Sequence, residues 1–250
     1  MKRQFFGKSI AVIASALFIG AANVWAQATE IKLEHDALGK APTINVQIGG
    51  KNYPFLFDSG GGLTIITPAL AKEIGCTPFG QLAGYNAGGT RLDAKRCDDV
   101  ELKMGGHTAR VDAGVMEVMT FFSPDTPQIG GFVSLQTFEN KAITIDLANN
   151  KLIVENDKTL AERTRDMKQL ESRLSRQMGG ASIDMFVAAN SPKGKLWLEV
   201  DTGNFGTIQI APHAQEMLGI NFDAPNRAKM TKPVKLDLVG LGTIEGSGRE

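Results

Sequence analysis

The chain is short of several features that would classify it at a glance. It has no excess of either charge, since 27 lysines and arginines stand against 27 aspartates and glutamates. A chain with no basic surplus has no electrostatic means of recruiting nucleic acid or anionic lipid, and neither is expected as a partner. Histidine is scarce: His35, His107 and His213 lie far apart, and no Cys-x-x-Cys pair occurs. No metal site is expected from such scattered ligands, and His107, after Gly105-Gly106, reads as a hairpin-turn residue. No cofactor is expected either. Gly7-Lys8-Ser9 has the closing letters of a phosphate loop but lacks the upstream glycine. Aromatic residues make up only 7% of the chain, while glycines number 28. That balance suits short strands joined by tight turns.

Only the N-terminus carries a long apolar run. Lys2, Arg3 and Lys8 precede Ile10 to Ala22, and Val24-Trp25-Ala26 offers a small residue at the last position before a cut after Ala26 and a tolerable one two earlier. The run is shorter than the ~20 residues of a membrane span, so 1–26 reads as a cleavable secretory signal. No cysteine sits at the cut to take a lipid. The product is expected to be periplasmic or secreted, with no membrane attachment after cleavage. Cys76 and Cys97 are the only cysteines. In an oxidising compartment they are expected to form a disulfide worth ~3 kcal/mol in the chain-entropy model.

What the chain does have is an internal repeat. FLFDSGGGLTIITPALAKEIGC (55–76) and LEVDTGNFGTIQIAPHAQEMLGI (198–220) share their order of parts. Each runs from apolar residues through Asp, Ser or Thr, and Gly, to β-formers, a proline, a short helical pattern and a closing glycine. Pro68 and Pro212 suit a helix start, with Thr67 as an N-cap, and Gly75 and Gly219 suit helix stops. Before each Asp, two strand-like runs flank a turn, at Gly49-Gly50 and at Ser191 to Gly194. Matching order, spacing and context point to duplication. Val100–Met104 and Ala109–Met116 are expected to pair around Gly105-Gly106. Between the copies, the charged segment 157–177 has Leu160, Arg163, Met167, Leu170 and Leu174 near a helical period, which predicts a helical linker over 157–180.

The letters Asp58-Ser59-Gly60 could be read with Ser59 as a nucleophile. Only His35 precedes it, however, and too little chain precedes it for a trypsin-like first barrel. The second copy carries Thr202 at the matching place. The acid is what both copies keep. With apolar runs before them, Asp58-Ser59-Gly60 and Asp201-Thr202-Gly203 resemble the two active-site loops of pepsin- and retropepsin-type aspartic proteases. The resemblance covers roughly 41–156 as one lobe and 181–250 as part of a second.

This resemblance implies a mainly β, bilobal pseudodimer of β-barrels with short helices. Residues 27–40 are expected as an N-terminal arm, 41–156 as the first lobe and 181–250 as an incomplete second lobe, since no second sling or closing strands follow. It implies Asp58 and Asp201 as catalytic carboxylates, and Ser59, Gly60, Thr202 and Gly203 as supports of their loops. Tyr85, in the Gly84 to Gly89 turn, falls where the family has a flap, with Cys76–Cys97 at its base. Ile129-Gly130-Gly131 resembles the sling behind the active loop. Two departures stand out: Gly61 and Gly62 replace residues that usually include a hydroxyl, and Glu199 interrupts the apolar run before Asp201. The implied activity is endopeptidase cleavage of peptides or unfolded protein. An alternative is a protein of the same fold that binds a peptide or a partner without cutting. A homodimer through the first lobe, with Asp58 from two chains as the acid pair, is a variant of the peptidase reading.

Overall fold

The computed structural model describes residues 27–35, 41–204, 206–222 and 230–250. The signal expected over 1–26 lies outside the described residues. The protein is mainly β, with short helices, as expected.

The first lobe is built on a ring of six strands. These are β2 (Thr43–Ile48), β3 (Lys51–Phe57), β4 (Ile65–Ile66), β6 (Arg91–Met104), β7 (His107–Val115) and β8 (Gly131–Val133). The sheet runs β6-β7-β4-β8-β3-β2 and closes on itself where Gln47 of β2 pairs Lys103 of β6. Closure removes the free edges of the ring. The expected hairpins form: β2 meets β3 across Gly49-Gly50, and β6 meets β7 across Gly105-Gly106. Alternating residues point inward, so Val46, Phe55, Phe57, Leu102 and Met104 form a buried core. β5 (Phe79–Tyr85) extends β6 into a hairpin outside the ring. Cys76 and Cys97 are disulfide-bonded at the base of that hairpin.

Within the segment expected as an N-terminal arm, the described residues 27–35 contain a strand. β1 (Thr29–Glu34) lies between β2 and β10 (Lys151–Val154), with β9 (Ile143–Asp146) beyond. Its alternation puts Ile31 and Leu33 into the core, so the segment is an interior strand of the first lobe.

The predicted linker helix is half realised. α2 (Asp157–Thr164) starts in a capping box, in which Asn156 accepts from the Thr159 amide and Thr159 Oγ1 accepts from the Asn156 amide. Arg163 ion-pairs with buried Glu155 and ties the helix to the end of β10. Then the helix stops, and β11 (Ser172–Gln177) pairs antiparallel with β12 (Ser182–Ser191). Helix α2 has no fully buried residue, and Met167 and Leu174 remain exposed. With no apolar face to bury, the periodic pattern gave no reason to continue, and an available strand edge took the chain.

The second lobe repeats the first. β12 and β13 (Gly194–Glu199) match β2 and β3, and β14 (Ile208–Gln209) matches β4. Helix α3 (Pro212–Leu218) matches α1 (Pro68–Glu73), and β15 (Lys232–Leu238) and β16 (Gly242–Arg249) match β6 and β7. Even the pairing details recur. β4 runs parallel to β7 and β14 runs parallel to β16; β2 touches β6 and β12 touches β15. Both helices begin with the expected proline; α3 is capped at the expected Gly219, whereas α1 is capped at Ile74, one residue before Gly75. One member has no counterpart among the described residues: no strand stands between β13 and β14 as β8 stands between β3 and β4. The second lobe is therefore an open half-barrel, around Ile210, Phe222, Val234 and Leu236.

β8 fits because of Gly131. A Cβ built there would lie 1.9 Å from the Ile65 carbonyl oxygen and 2.9 Å from the Phe55 ring, at a φ of 154°. Gly131→Ala should lower the stability of the first lobe by about 3 kcal/mol, read as a shift of the urea midpoint. Gly88→Ala, in the open hairpin turn, should change it by less than about 0.5 kcal/mol.

Candidate active site

Each active loop leaves a strand and turns sharply. β3 is held by parallel pairing to β8, and the Asp58 amide continues that ladder by donating to the Val133 carbonyl at 2.9 Å. Asp58 is thus fixed at the C-terminal end of a buried strand. Behind the loop, Thr64 Oγ1 meets Thr137 Oγ1 at 2.7 Å and Ser134 Oγ at 3.1 Å, all buried. This hydroxyl cluster was not anticipated from sequence; Thr64 is 70 or more residues from its two partners, and no local pattern links them. On the other lobe, the Val200 amide donates to Met185 O and sets Asp201 at the matching place.

Four hydrogen bonds cross between the loops. Ser59 Oγ donates to Val200 O at 2.6 Å and accepts from the Thr202 amide at 3.0 Å. Thr202 Oγ1 donates to Phe57 O at 2.7 Å and accepts from the Ser59 amide at 3.0 Å. The exchange is reciprocal, as a twofold relation of the lobes requires. Ser59 is fully buried and its one hydroxyl proton is already donated across the boundary, so it braces the site and is not free to attack a substrate.

The brace brings the acids together. Asp58 and Asp201 hydrogen-bond to one another through their carboxyls. The glycines after them allow this approach. A Cβ on Gly60 would lie 2.6 Å from the Asp201 carboxyl carbon, and one on Gly203 would lie 2.7 Å from that of Asp58. Burial, then the charge of Asp201, push the Asp58 carboxyl up to about 8. Two like charges at this range cannot both ionise cheaply. The pair is not symmetric. Asp58 Oδ1 accepts one backbone N–H, from Gly60 at 3.1 Å, whereas Asp201 Oδ1 accepts two, from Gly203 at 2.8 Å and Asn204 at 3.1 Å. Backbone donors favour the charged carboxylate, so the shared proton resides on Asp58. The missing hydroxyl at Gly61 and Gly62 is one reason Asp58 has the poorer set.

A cleft of about 730 Å³ opens above the pair. The β5–β6 hairpin arches over it, with a tip closed by Asn86 amide to Thr90 O and Thr90 amide to Asn86 Oδ1. Tyr85 lines the cleft from that hairpin and is 70% exposed. A Cβ on Gly84 would come within 4.0 Å of Met178 on the opposite lobe. Glu199 also faces the cleft, because it lies two residues before Asp201 on the same strand face. It touches solvent but sits in a concave wall. Desolvation there, helped by Asp184 and Asp201, pushes its carboxyl up to about 7. Asp184 was missed in the sequence reading. Among the described residues no cluster of His, Cys, Asp and Glu could hold a metal ion, and no helix is long and apolar enough to cross a membrane.

Residues 44–134, which carry Asp58, its brace and the hairpin above it, match the family model described as aspartyl protease. The match covers 91 of the 250 residues and supports a relation of the first lobe to the aspartic proteases. No curated protein matches the chain. The second lobe lies outside the matched residues, and the internal repeat and the shared brace relate it to the first.

Two outcomes follow. Ser59→Ala removes both bonds of one hydroxyl and strands buried partners on the other lobe. It should cost about 2–4 kcal/mol, measured by thermal or urea unfolding. The second outcome concerns pH. The folded state holds the Asp58 proton up to about 8, far above the usual aspartate value of 3.8. The fold therefore binds more protons than the unfolded chain between these values, and the contribution of this site to stability declines as pH rises toward 8. Asp58→Asn should flatten that decline, so that its Tm relative to the parent protein is higher at pH 8 than at pH 4.

Proposed function

We propose that the protein is an aspartic endopeptidase that hydrolyses peptide bonds with a water held between Asp58 and Asp201. The observation that carries this reading is the single hydrogen-bonded carboxyl pair, braced from both lobes, at the floor of an open cleft. Asp201 acts as the base that takes a proton from the water. Asp58, holding the shared proton, donates it to the scissile carbonyl oxygen as the water adds. The resulting gem-diol collapses when its hydroxyl proton returns to the carboxylate pair and the leaving nitrogen is protonated. The substrate is peptide or unfolded protein, lying beneath the hairpin that carries Tyr85. Both acids come from one chain, which favours intrachain catalysis over a dyad assembled in a homodimer. The signal-like sequence of 1–26 supports a reading in which the work is done in the periplasm or outside the cell.

The edges of β13 and β14 that are unpaired among the described residues favour a second reading, in which a cleft of this fold binds peptide or a partner protein without cutting it. One assay separates the two. The full-length chain is purified and offered an unstructured protein across pH 3–9. Asp58→Asn and Asp201→Asn should each lower kcat on the order of 10³-fold. The parent rate should fall as pH rises through about 8, where Asp58 loses the proton it must donate. Binding of the same substrate with no cleavage at any pH would establish the non-cutting reading.

A further inference from the structure

The duplication supplies an internal comparison. Leu56 lies two residues before Asp58, and Glu199 lies two before Asp201. Across the hairpins, Leu56 pairs Thr43, and Glu199 pairs Phe186. Two residues earlier on the partner strands come Ala41 and Asp184. In the first lobe, Ala41 and Leu56 are buried together in one apolar cluster with Leu63 and Ile65. In the second lobe, the equivalent two positions are both acids, and both line the cleft.

Asp184 is an uncomfortable residue. It is 7% exposed, it faces the cavity, and no described residue donates a hydrogen bond to it or forms an ion pair with it or with Glu199. Burial alone pushes its carboxyl up. It packs against the first active loop, where its Oδ1 would lie 2.9 Å from a Cβ on Gly62, and the Ile183 amide donates to Gly62 O at 3.0 Å. Arg249 lines the same cleft but pairs with neither acid. A buried carboxyl such as that of Asp184 is costly without a partner, and a cation reaching between it and Glu199 would supply the missing charge. Phe186, on the same strand face as Asp184, gives an apolar wall for the methylene stem of a long side chain.

We propose that Asp184 and Glu199 form a subsite beside the carboxyl pair that selects peptides with a lysine or arginine side chain next to the bond held there. The first lobe offers Leu56 to the cleft on the other side of the pair, so the opposite neighbour of that bond is apolar. This proposal rests on the peptidase reading for its substrate, but its test need not.

Two peptides of one sequence are used, with lysine or norleucine beside the bond. At pH 7 the full chain should cleave the lysine peptide about tenfold better in kcat/KM. Asp58→Asn should bind it about tenfold more tightly than the norleucine peptide, measured by fluorescence anisotropy. The near-isosteric pair Asp184→Asn and Glu199→Gln should bring both ratios toward one, and Glu199→Leu, which copies the first lobe, should reverse them. Absence of cleavage with the binding ratio kept would overturn the peptidase reading and leave the subsite standing. A parent ratio near one in both assays, or a ratio that the variants leave unchanged, would overturn the subsite.

Discussion

Two carboxylic acids are kept in hydrogen-bonding contact against the repulsion that ionisation of both would bring. Four hydrogen bonds between Ser59, Thr202 and the backbone of the opposite loop accomplish this. Each hydroxyl gives and accepts across the lobe boundary, so neither loop can take its final position without the other. Chemistry and docking are thus one event. The Gly60 and Gly203 positions set how near the acids come, and the unequal count of backbone donors sets which acid holds the proton.

Much of this could be read before any coordinates. Asp-Ser-Gly and Asp-Thr-Gly marked the loops because each letter has a local duty: an acid at a strand end, a hydroxyl, and a residue with no Cβ where a carboxyl approaches. Pro68, Gly75, Pro212 and Gly219 marked helix ends through equally local backbone constraints. The failures have a common cause. Residues 172–177 carry apolar and charged residues at helical intervals, yet their fate was decided by the free edge of β12. Ile31 and Leu33 alternate over too short a run to announce β1, and the place of β1 depends on β10, more than 110 residues later. Asp184 is the sharpest case. Nothing around it is unusual; its importance appears only when strand register sets it beside Glu199 and against Gly62.

The lobes are duplicates in topology but not in closure. In the first, β8 joins β3 to β4, and Gly131 allows that strand to pass between Phe55 and Ile65. In the second, β13 and β14 have no such strand between them among the described residues. The first lobe is therefore the rigid half. It holds Asp58 through Val133 and the Thr64 hydroxyl cluster, whereas the loop of Asp201 depends on Met185 and on what the first lobe gives it across the boundary.

This unequal support links the acids to the stability of the whole. The second lobe has a modest core around Phe222, Val234 and Leu236, with a second patch at Ala189, Leu196 and Leu238. Part of what holds its active loop in place is the boundary itself, through the serine–threonine exchange and the Ile183 to Gly62 bond. The protonated carboxyl pair lies within that boundary. Losing the shared proton places a second charge where the lobes meet, with Glu199 and Asp184 already close by. Repulsion then acts on the very contact that orders the weaker lobe. An acid pair tuned for proton transfer is, in this architecture, also a pH-dependent term in the docking of one half-molecule onto the other.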